Sequence, residues 1–363
     1  MAGEANGTAP ACRGLIREVE PRVDVFGRVL FRTQDLDPIY VALLKTARDD
    51  QLHRWLVAYW LFYNAGAASW LSEREGKDFW DALMVAAKNE TPTPFNSRWP
   101  RGAERRHFRG AAAVSAGDAL QRRYARPEDM VAFLLDGPMD IRSVIARARR
   151  HHQVGSWLAF KITDMIDAVL GAEVKQDDLT TFLYDTPRQS IIENWQVGRL
   201  PFTTNDEATA LTKAMFWLAE ELNDCVIPHK PGQRPDWFSL ETVWCKHLSH
   251  VHGHYPVGKD IREIQHGLEP WLESSPTAKR FLGAMPTARK VDMCAAALRA
   301  AASGNKKAGA DPLPIYRFWD RTHGEHGDPD YRTNNMPKAR KTAARDDAGL
   351  RENVAGTDKE EKD

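Results

Sequence analysis

The segment Ile141-Arg-Ser-Val-Ile-Ala-Arg-Ala-Arg-Arg-His-His-Gln-Val-Gly-Ser-Trp-Leu-Ala-Phe-Lys-Ile-Thr-Asp-Met-Ile-Asp-Ala-Val-Leu170 decides the fold. Its first half reads as a helix from Pro138 to His152. Gly155 interrupts the apolar pattern. The pattern resumes over Trp157–Leu170, with Phe160, Ile162, Ile166 and Val169 on a helical period. Helix, glycine-bearing turn, helix is the order of a helix-hairpin-helix element, and equally of a plain αα-hairpin.

The flanks repeat the helical pattern. Pro127 opens a short helix over Pro127–Leu135. Thr91–Pro100 carries Pro92, Pro94 and Pro100 and is a rigid loop. Upstream, Phe79, Leu83 and Ala86–Ala87 form an apolar face running to Lys88, with Ser72 and Glu75 as a capping-box pair. Leu52, Leu56, Tyr59, Tyr63 and Ala67 predict one helix over Leu52–Trp70. Asp37-Pro38 reads as an N-cap and first-turn proline, opening a helix that ends near Asp49. Downstream, helices are expected over Asp177–Tyr184, Arg188–Trp195, Asp206–Cys225, Phe238–His250, Asp260–His266 and Thr287–Ala301. Pro228–Pro235 is a turn-rich connector and Val251–Gly258 a loop. Alternating Val, Ile and Thr runs are nearly absent, so the expected class is all-α and multi-helix.

Residues 1–35 read as an irregular lead-in. Residues 36–301 form the helical region, open to division into two lobes, and 302–331 an extended segment. The stretch 332–363 holds eight Lys/Arg and seven Asp/Glu with almost no large apolar side chain, and reads as a mobile charged tail.

The 363 residues are 42% hydrophobic and 28% charged, which excludes a disordered or collagen-like chain. Fifty Lys+Arg against fifty Asp+Glu exclude a wholly basic coat but not a local basic site. Cys12, Cys225, Cys245 and Cys294 include no CxxC pair, so thiolate zinc and thioredoxin-type sites are not expected. Met1–Pro10 lacks an apolar signal core, and the longest apolar stretches are too short to span a bilayer. These features point to a cytoplasmic protein with no membrane partner. Twelve tryptophans suit either a large helical core or a stacking surface.

Three constellations could carry chemistry. Between Arg98 and Arg126 lie eight arginines, no lysine, and only Glu104 and Asp118 in opposition. Arginine alone suits bidentate recognition of phosphate or carboxylate. If Arg101–Arg109 is helical, Arg101, Arg105 and Arg109 share a face that needs an anion or a buried carboxylate. A second basic run, Arg142, Arg147, Arg149, Arg150, His151 and His152, ends at the turn holding Gly155. Backbone N–H groups at such a turn can hold a DNA phosphate, although a solvated patch is equally allowed. The third stretch, Glu241–Asp260, holds His247, His250, His252 and His254 beside Cys245. No firm zinc pattern matches, HExxH is absent, and a proton-transfer or anion site fits better than a metal site. GxGxxG, GxxxxGK[ST] and GxSxG are missing as well. Asp164 and Asp167 lie on the second helix of the hairpin.

Two of these stretches carry a family resemblance. Trp60–Asn64, Trp70-Leu-Ser72 and Phe79-Trp80, then Arg98-Trp-Pro-Arg-Gly-Ala-Glu-Arg-Arg-His-Phe-Arg-Gly110, resemble the alpha-glutamyl/putrescinyl thymine pyrophosphorylases, also called amino acid:DNA transferases. Glu241–Asp260, with Trp-Cys-Lys-His and Gly-His-Tyr-Pro-Val-Gly-Lys-Asp, is similar to that family's second signature. The resemblance spans about residues 35–300. It implies a phage or prophage enzyme working in the bacterial host cytoplasm. It also implies a DNA-glycosylase-like architecture, with the Ile141–Leu170 hairpin as the DNA-holding, helix-hairpin-helix-like element. An upstream kinase converts 5-hydroxymethyluracil in DNA to its pyrophosphate ester. The transferase then joins an amino acid or polyamine amine to the exocyclic methylene and releases pyrophosphate, giving hypermodified thymine.

The residues fit that chemistry. Arg98, Arg101, Arg105, Arg106 and Arg109 could neutralise the leaving pyrophosphate. His107, His247, His250, His252, His254 and Asp260 are candidate bases for the attacking amine. Lys246 or Lys259 could hold an amino acid carboxylate. Trp99, Phe108, Trp244 and Tyr255 could stack on a flipped base or support the pocket. Arg147, Arg149, Arg150 and the Gly155 turn could hold DNA phosphates. No cofactor is firmly indicated, and a divalent metal could accompany pyrophosphate. A helical DNA glycosylase, using an activated water or a lysine nucleophile, and a non-catalytic DNA-binding module are the rival readings; a lysine positioned in the hairpin would favour the glycosylase, and the hairpin shows Lys161 only after the turn.

Overall fold

Capping side chains mark several of the helix starts. Asp49, Asn64, Asp140, Asp206 and Ser275 each accept a hydrogen bond from the backbone N–H three residues on. Pro38, Pro127 and Pro276 occupy first-turn positions, where a missing N–H costs nothing. Tyr63, Asn89 and Gly171 end helices in the left-handed region. The computed structural model describes residues 22–46, 49–102, 105, 108, 110–176, 183–251, 255, 257–288, 290–293 and 316–319.

These residues form fourteen α-helices. They are α1 (Val23–Thr33), α2 (Pro38–Leu43), α3 (Asp50–Phe62), α4 (Ala65–Ser72), α5 (Gly76–Lys88), α6 (Gly110–Arg123) and α7 (Pro127–Leu135), followed by α8 (Ile141–Ala148), α9 (Ser156–Leu170), α10 (Asp185–Gln196), α11 (Glu207–Glu221), α12 (Trp237–Val251), α13 (Lys259–Leu268) and α14 (Pro276–Ala284). A two-stranded antiparallel ribbon, β1 (Lys290–Met293) with β2 (Tyr316–Trp319), pairs Lys290 with Trp319. The fold is all-α and multi-helix apart from this ribbon.

Apolar side chains collect in two clusters. The larger draws on α2 through α9, with Trp271 and α14 closing one side. The smaller joins α1, α10, α11 and α12. Helix α9 belongs to the first and α12 mainly to the second, so where these helices meet the two cores meet. The α8–α9 hairpin is closed at its base by Ile141 N–H to Lys175 O (3.0 Å) and Lys175 N–H to Met139 O (2.9 Å). His151 braces its turn, with Nε2 on the Tyr124 hydroxyl and Nδ1 on Ala148 O.

Several expectations are corrected. The lead-in contains α1, whose Val25, Phe26, Val29 and Leu30 are buried on α12 and α11 neighbours. Helix α2 stops at Leu43, well before Asp49. The expected Leu52–Trp70 helix is two helices, because Tyr63 turns left-handed at φ 47° and Asn64 caps a new start. Ser72 ends α4 and bonds back to Ser69 O rather than capping α5, whose N-cap is Glu75. Arg101 and Gly102 are not helical. Gly102 N–H bonds to Phe62 O, and a Cβ at Gly102 would lie 2.2 Å from Tyr63 O, so the chain crosses the α3–α4 break where only glycine fits. Residues 290–293 are strand where the Thr287–Ala301 helix was expected, and 316–319 are strand within the segment read as extended. The expected helix over Asp177–Tyr184 falls mostly on residues outside the described set.

Candidate active site

Helices α9 and α12 bring charged side chains together where the two cores meet. Lys161 Nζ donates to Glu241 Oε2 (3.2 Å), Asp164 Oδ2 (3.3 Å) and Thr242 Oγ1 (3.4 Å). The Tyr40 hydroxyl of α2 donates to Asp164 Oδ2 at 2.8 Å. Tyr184 donates to Cys245 Sγ at 3.2 Å. Glu241 is 0% exposed, and its Oε1 has no partner. Burial pulls the Lys161 ammonium down, yet Glu241, Asp164 and Asp37 together hold it well above the usual lysine range. Burial lifts Asp164 to about 6, against the pull of Lys161. A buried charge cluster of this kind is costly for stability, which makes it a functional-site candidate.

Asp37 stands apart within the group. It precedes Pro38 in the N-cap position, but its side chain caps nothing. The carboxylate is half-buried and has no hydrogen-bond partner among the described residues. Its electrostatic neighbours are Lys161, Asp164, Lys246 and Glu241. Burial, opposed by Lys161 and Lys246 and reinforced by Asp164 and Glu241, lifts it to about 8.

A second network adjoins the first through α12. Lys246 Nζ reaches Asp35 O (2.6 Å), the Tyr255 hydroxyl (2.8 Å) and Asp260 Oδ2 (2.6 Å). These contacts occupy all three of its donors, leaving none for a substrate carboxylate. Asp35 accepts from the Tyr255 hydroxyl (2.9 Å), Gly258 N–H (2.5 Å) and Ile261 N–H (3.3 Å). The structure thus gathers the expected Lys246, Asp260 and Tyr255 into one clamp. Lys259 pairs with Glu263 at 3.7 Å.

The other expected residues are dispersed. His247 is fully buried, edge-on to Phe26. His250 stacks on the same ring at 4.6 Å, and its Nδ1 bonds Tyr255 O at 2.7 Å. Burial pushes the His250 imidazole below its usual range. Trp99 and Phe108 are buried in the larger core, Trp99 against Trp70 and Trp271. Tyr255 is buried in the clamp, and Trp244 is buried in the smaller core. These aromatic side chains support the fold and present no exposed stacking face. Arg147 is also turned inward, with Nε on Leu134 O and Nη2 on Pro138 O. Arg106, His107, Arg109, His252 and His254 lie outside the described residues.

The remaining cations divide by environment. Arg101 donates to four carbonyl groups, those of Phe108, Trp99, Pro100 and Ala86, with its guanidinium 3.9 Å above Phe62. Arg105 is 8% exposed, and its Nε has no partner. No described carboxylate pairs with it, and burial alone lowers it to about 10. Arg98, Arg149 and Arg150 are exposed. So are Gly155 and Ser156 at the start of α9, where no side chain caps the helix. The first-turn N–H groups of this fifteen-residue helix are therefore open to an anion.

Sequence reading missed Asp37, Tyr40, Tyr184 and Glu241 as site residues, and noted Lys161 only as a lysine falling after the hairpin turn. Asp37-Pro38 was the available signal, but it reads as an ordinary cap until its side chain is seen to cap nothing. Among the described residues no group of three or more His, Cys, Asp or Glu is placed to hold a metal ion. No helix among them is long and apolar enough to cross a membrane.

Comparison with known proteins bears on the same region. The amino acid:DNA transferase family matches over residues 24–255, which contain α1, the hairpin and the Lys161 cluster. A glycinyltransferase of Pseudomonas phage PaMx11 is 39% identical over 279 residues, covering 73% of this chain and 96% of the relative. The chain belongs to the amino acid:DNA transferase family, and is a DNA-modifying enzyme that attaches an amino acid or amine group.

Proposed function

We propose that this enzyme joins the amine nitrogen of an amino acid or polyamine to the methylene of pyrophosphorylated 5-hydroxymethyluracil in DNA. The ester is the product of a 5-hydroxymethyluracil DNA kinase acting beforehand. The new N–C bond forms as the C–O bond breaks, and the electron pair of that bond leaves with pyrophosphate. The amine, bound as its ammonium, first gives one proton to a base, and the nitrogen gives up a second once the N–C bond has formed. The observation that carries the reading is Asp37, a half-buried carboxylate with no hydrogen-bond partner, set in the field of Lys161 and Lys246. Lifted to about 8, Asp37 holds its proton in most molecules at neutral pH, and its minor ionised form is the base, strengthened by the raised value.

The other parts take consistent roles. Arg105 is a buried cation without a described counter-ion, suited to the departing pyrophosphate, with the exposed Arg98 nearby in sequence. The α8–α9 hairpin serves as the helix-hairpin-helix-like DNA holder of a glycosylase-like fold, through Arg149, Arg150 and the open N-terminus of α9. Lys161 is held as an ammonium by three carboxylates, which suits electrostatic support and not nucleophilic attack. That argues against a lysine-nucleophile glycosylase, and release of free base would decide for one that activates water. The name of the phage relative makes glycine the first amine to test.

The test is mass spectrometry of nucleosides after the full-length protein is incubated with DNA carrying the pyrophosphate ester and a mixture of glycine, other amino acids and polyamines. A thymidine adduct with an equal amount of released pyrophosphate is expected, and its mass names the amine. Asp37→Asn is expected to lose the adduct while binding the same DNA. Intact ester under every condition would overturn the reading. Full activity in Asp37→Asn would remove Asp37 as the base.

A further inference from the structure

A cavity of about 610 Å³ opens where the end of α9, the 171–176 loop and the 229–236 loop meet. Its wall includes Asp167, Glu173 and Asp236, three carboxylates, against one ammonium, Lys230, together with His229. Lys230 Nζ pairs with both Asp167 and Asp236, leaving one of its three N–H donors uncommitted. Asp167 also accepts from Val174 N–H (2.8 Å) and Asp236 from Ser239 N–H (2.9 Å), so both carboxylates are fixed in place. Glu173 is exposed, makes no ion pair among the described residues, and sits in the left-handed region at φ 49°. Only a few per cent of non-glycine residues adopt that backbone, and such positions concentrate at functional sites.

His229 is the independent observation. It lines the cavity at 4% exposure, and its Nδ1 has no hydrogen-bond partner. An unpartnered buried nitrogen calls for a ligand or another explanation. Burial first, then Lys230, pushes the ring down to about 3, so it stays neutral and one ring nitrogen is an acceptor. The imidazole stands edge-on to Tyr40 at 5.0 Å, and Tyr40 donates to Asp164. Two side chains thus link the cavity wall to the Lys161 cluster.

We infer that this cavity binds the amine co-substrate as a primary ammonium ion, supplied by an amino acid or a diamine. The inference rests on the transferase reading above. The net negative wall attracts the ammonium. The uncommitted Lys230 N–H can meet the carboxylate of an amino acid, and the volume leaves room for a chain longer than glycine. This assigns amine binding to the cavity and not to Lys246, whose donors are all occupied.

The experiment uses the full-length protein with Glu173→Gln and Glu173→Lys. Glycine and putrescine are titrated calorimetrically without DNA, and each is then varied in the transfer assay. Expected is a roughly threefold rise in KM for the amine with Glu173→Gln, and a larger rise with Glu173→Lys, while KM for DNA stays constant. Calorimetric affinity should fall in the same order. Preference for glycine or for putrescine in both assays identifies the source of the ammonium. Unchanged amine affinity and KM in Glu173→Lys would overturn the inference. Amine binding that Glu173→Lys abolishes, in a protein that transfers nothing, would support the cavity and sink the transfer chemistry instead.

Discussion

The two arginine-rich stretches of this enzyme each divide between interior and solvent, in different ways. In the stretch from Arg98, Arg101 and Arg105 turn into the protein, one onto backbone carbonyls and the other into a buried position without a described counter-ion. In the α8–α9 hairpin, Arg147 turns inward while Arg149 and Arg150 remain in solvent beside an open helix N-terminus. Charge density alone does not distinguish these fates. For Arg101 and Arg147 the inward turn goes with backbone carbonyls within reach, whereas Arg105 is buried with no such partner for its Nε. Arg101 lies where the chain crosses the broken α3–α4 junction, and Arg147 lies over the end of α7, where carbonyls have no intrahelical partner.

The largest expected effect tests the inward class. Arg101→Ala removes donors from four carbonyls and the cation above Phe62. It should cost about 3 kcal/mol of unfolding free energy in urea titrations. DNA affinity of the folded fraction should not change. A variant as stable as the wild type would show that these carbonyls find other partners.

Arg105→Met comes next and should separate the two inward arginines. A buried guanidinium without a partner costs the fold its desolvation, so Arg105→Met should raise stability, by about 1–4 kcal/mol. Transfer should fall about 100-fold, the effect of removing one charge-stabilising group. A collapse in stability would instead reveal a carboxylate partner. On the surface side, Arg149→Ala and Arg150→Ala should each lower the slope of log affinity against log salt by about 1, with stability unchanged within about 0.5 kcal/mol. An unaltered salt slope in both would move the DNA away from the hairpin.

Helix existence was legible in the sequence wherever a strong local signal stood. Pro127–Leu135 forms over the expected residues because its proline fits only the first turn. The α8–Gly–α9 order was readable from apolar spacing. Helix α6 was not, since its Gly-Ala-Ala-Ala start has no periodic apolar contrast. The break at Tyr63–Asn64 hid inside an unbroken apolar pattern. The site was less legible than the fold. Lys161 meets Glu241 across 80 residues of chain, and Tyr40 meets Asp164 across 124, so no window of sequence contains the cluster. Histidines close in sequence carry no such signal of placement: His247 and His250 both turn onto Phe26.

A further effect concerns pH and contrasts the buried carboxyl groups with the solvated arginines. Asp35 and Asp164 are lifted to about 6 and Asp37 to about 8, each chiefly by burial. An acid with a raised folded pKa holds its proton after the unfolded chain has lost it. The contribution to stability is therefore full below the ordinary aspartate range and is lost as pH rises through the folded value. Between pH 6 and 8 the remaining loss belongs to Asp37, with one proton setting a limit of about 1.4 kcal/mol per pH unit. The urea midpoint of the wild type should keep falling across that window, whereas Asp37→Asn should level off above about pH 6. Arg149→Ala, changed only at the surface, should follow the wild-type curve. Parallel curves for wild type and Asp37→Asn would mean that Asp37 is ionised at neutral pH like a surface carboxylate, and the contrast between buried and solvated charge would then rest on Arg101 and Arg105 alone.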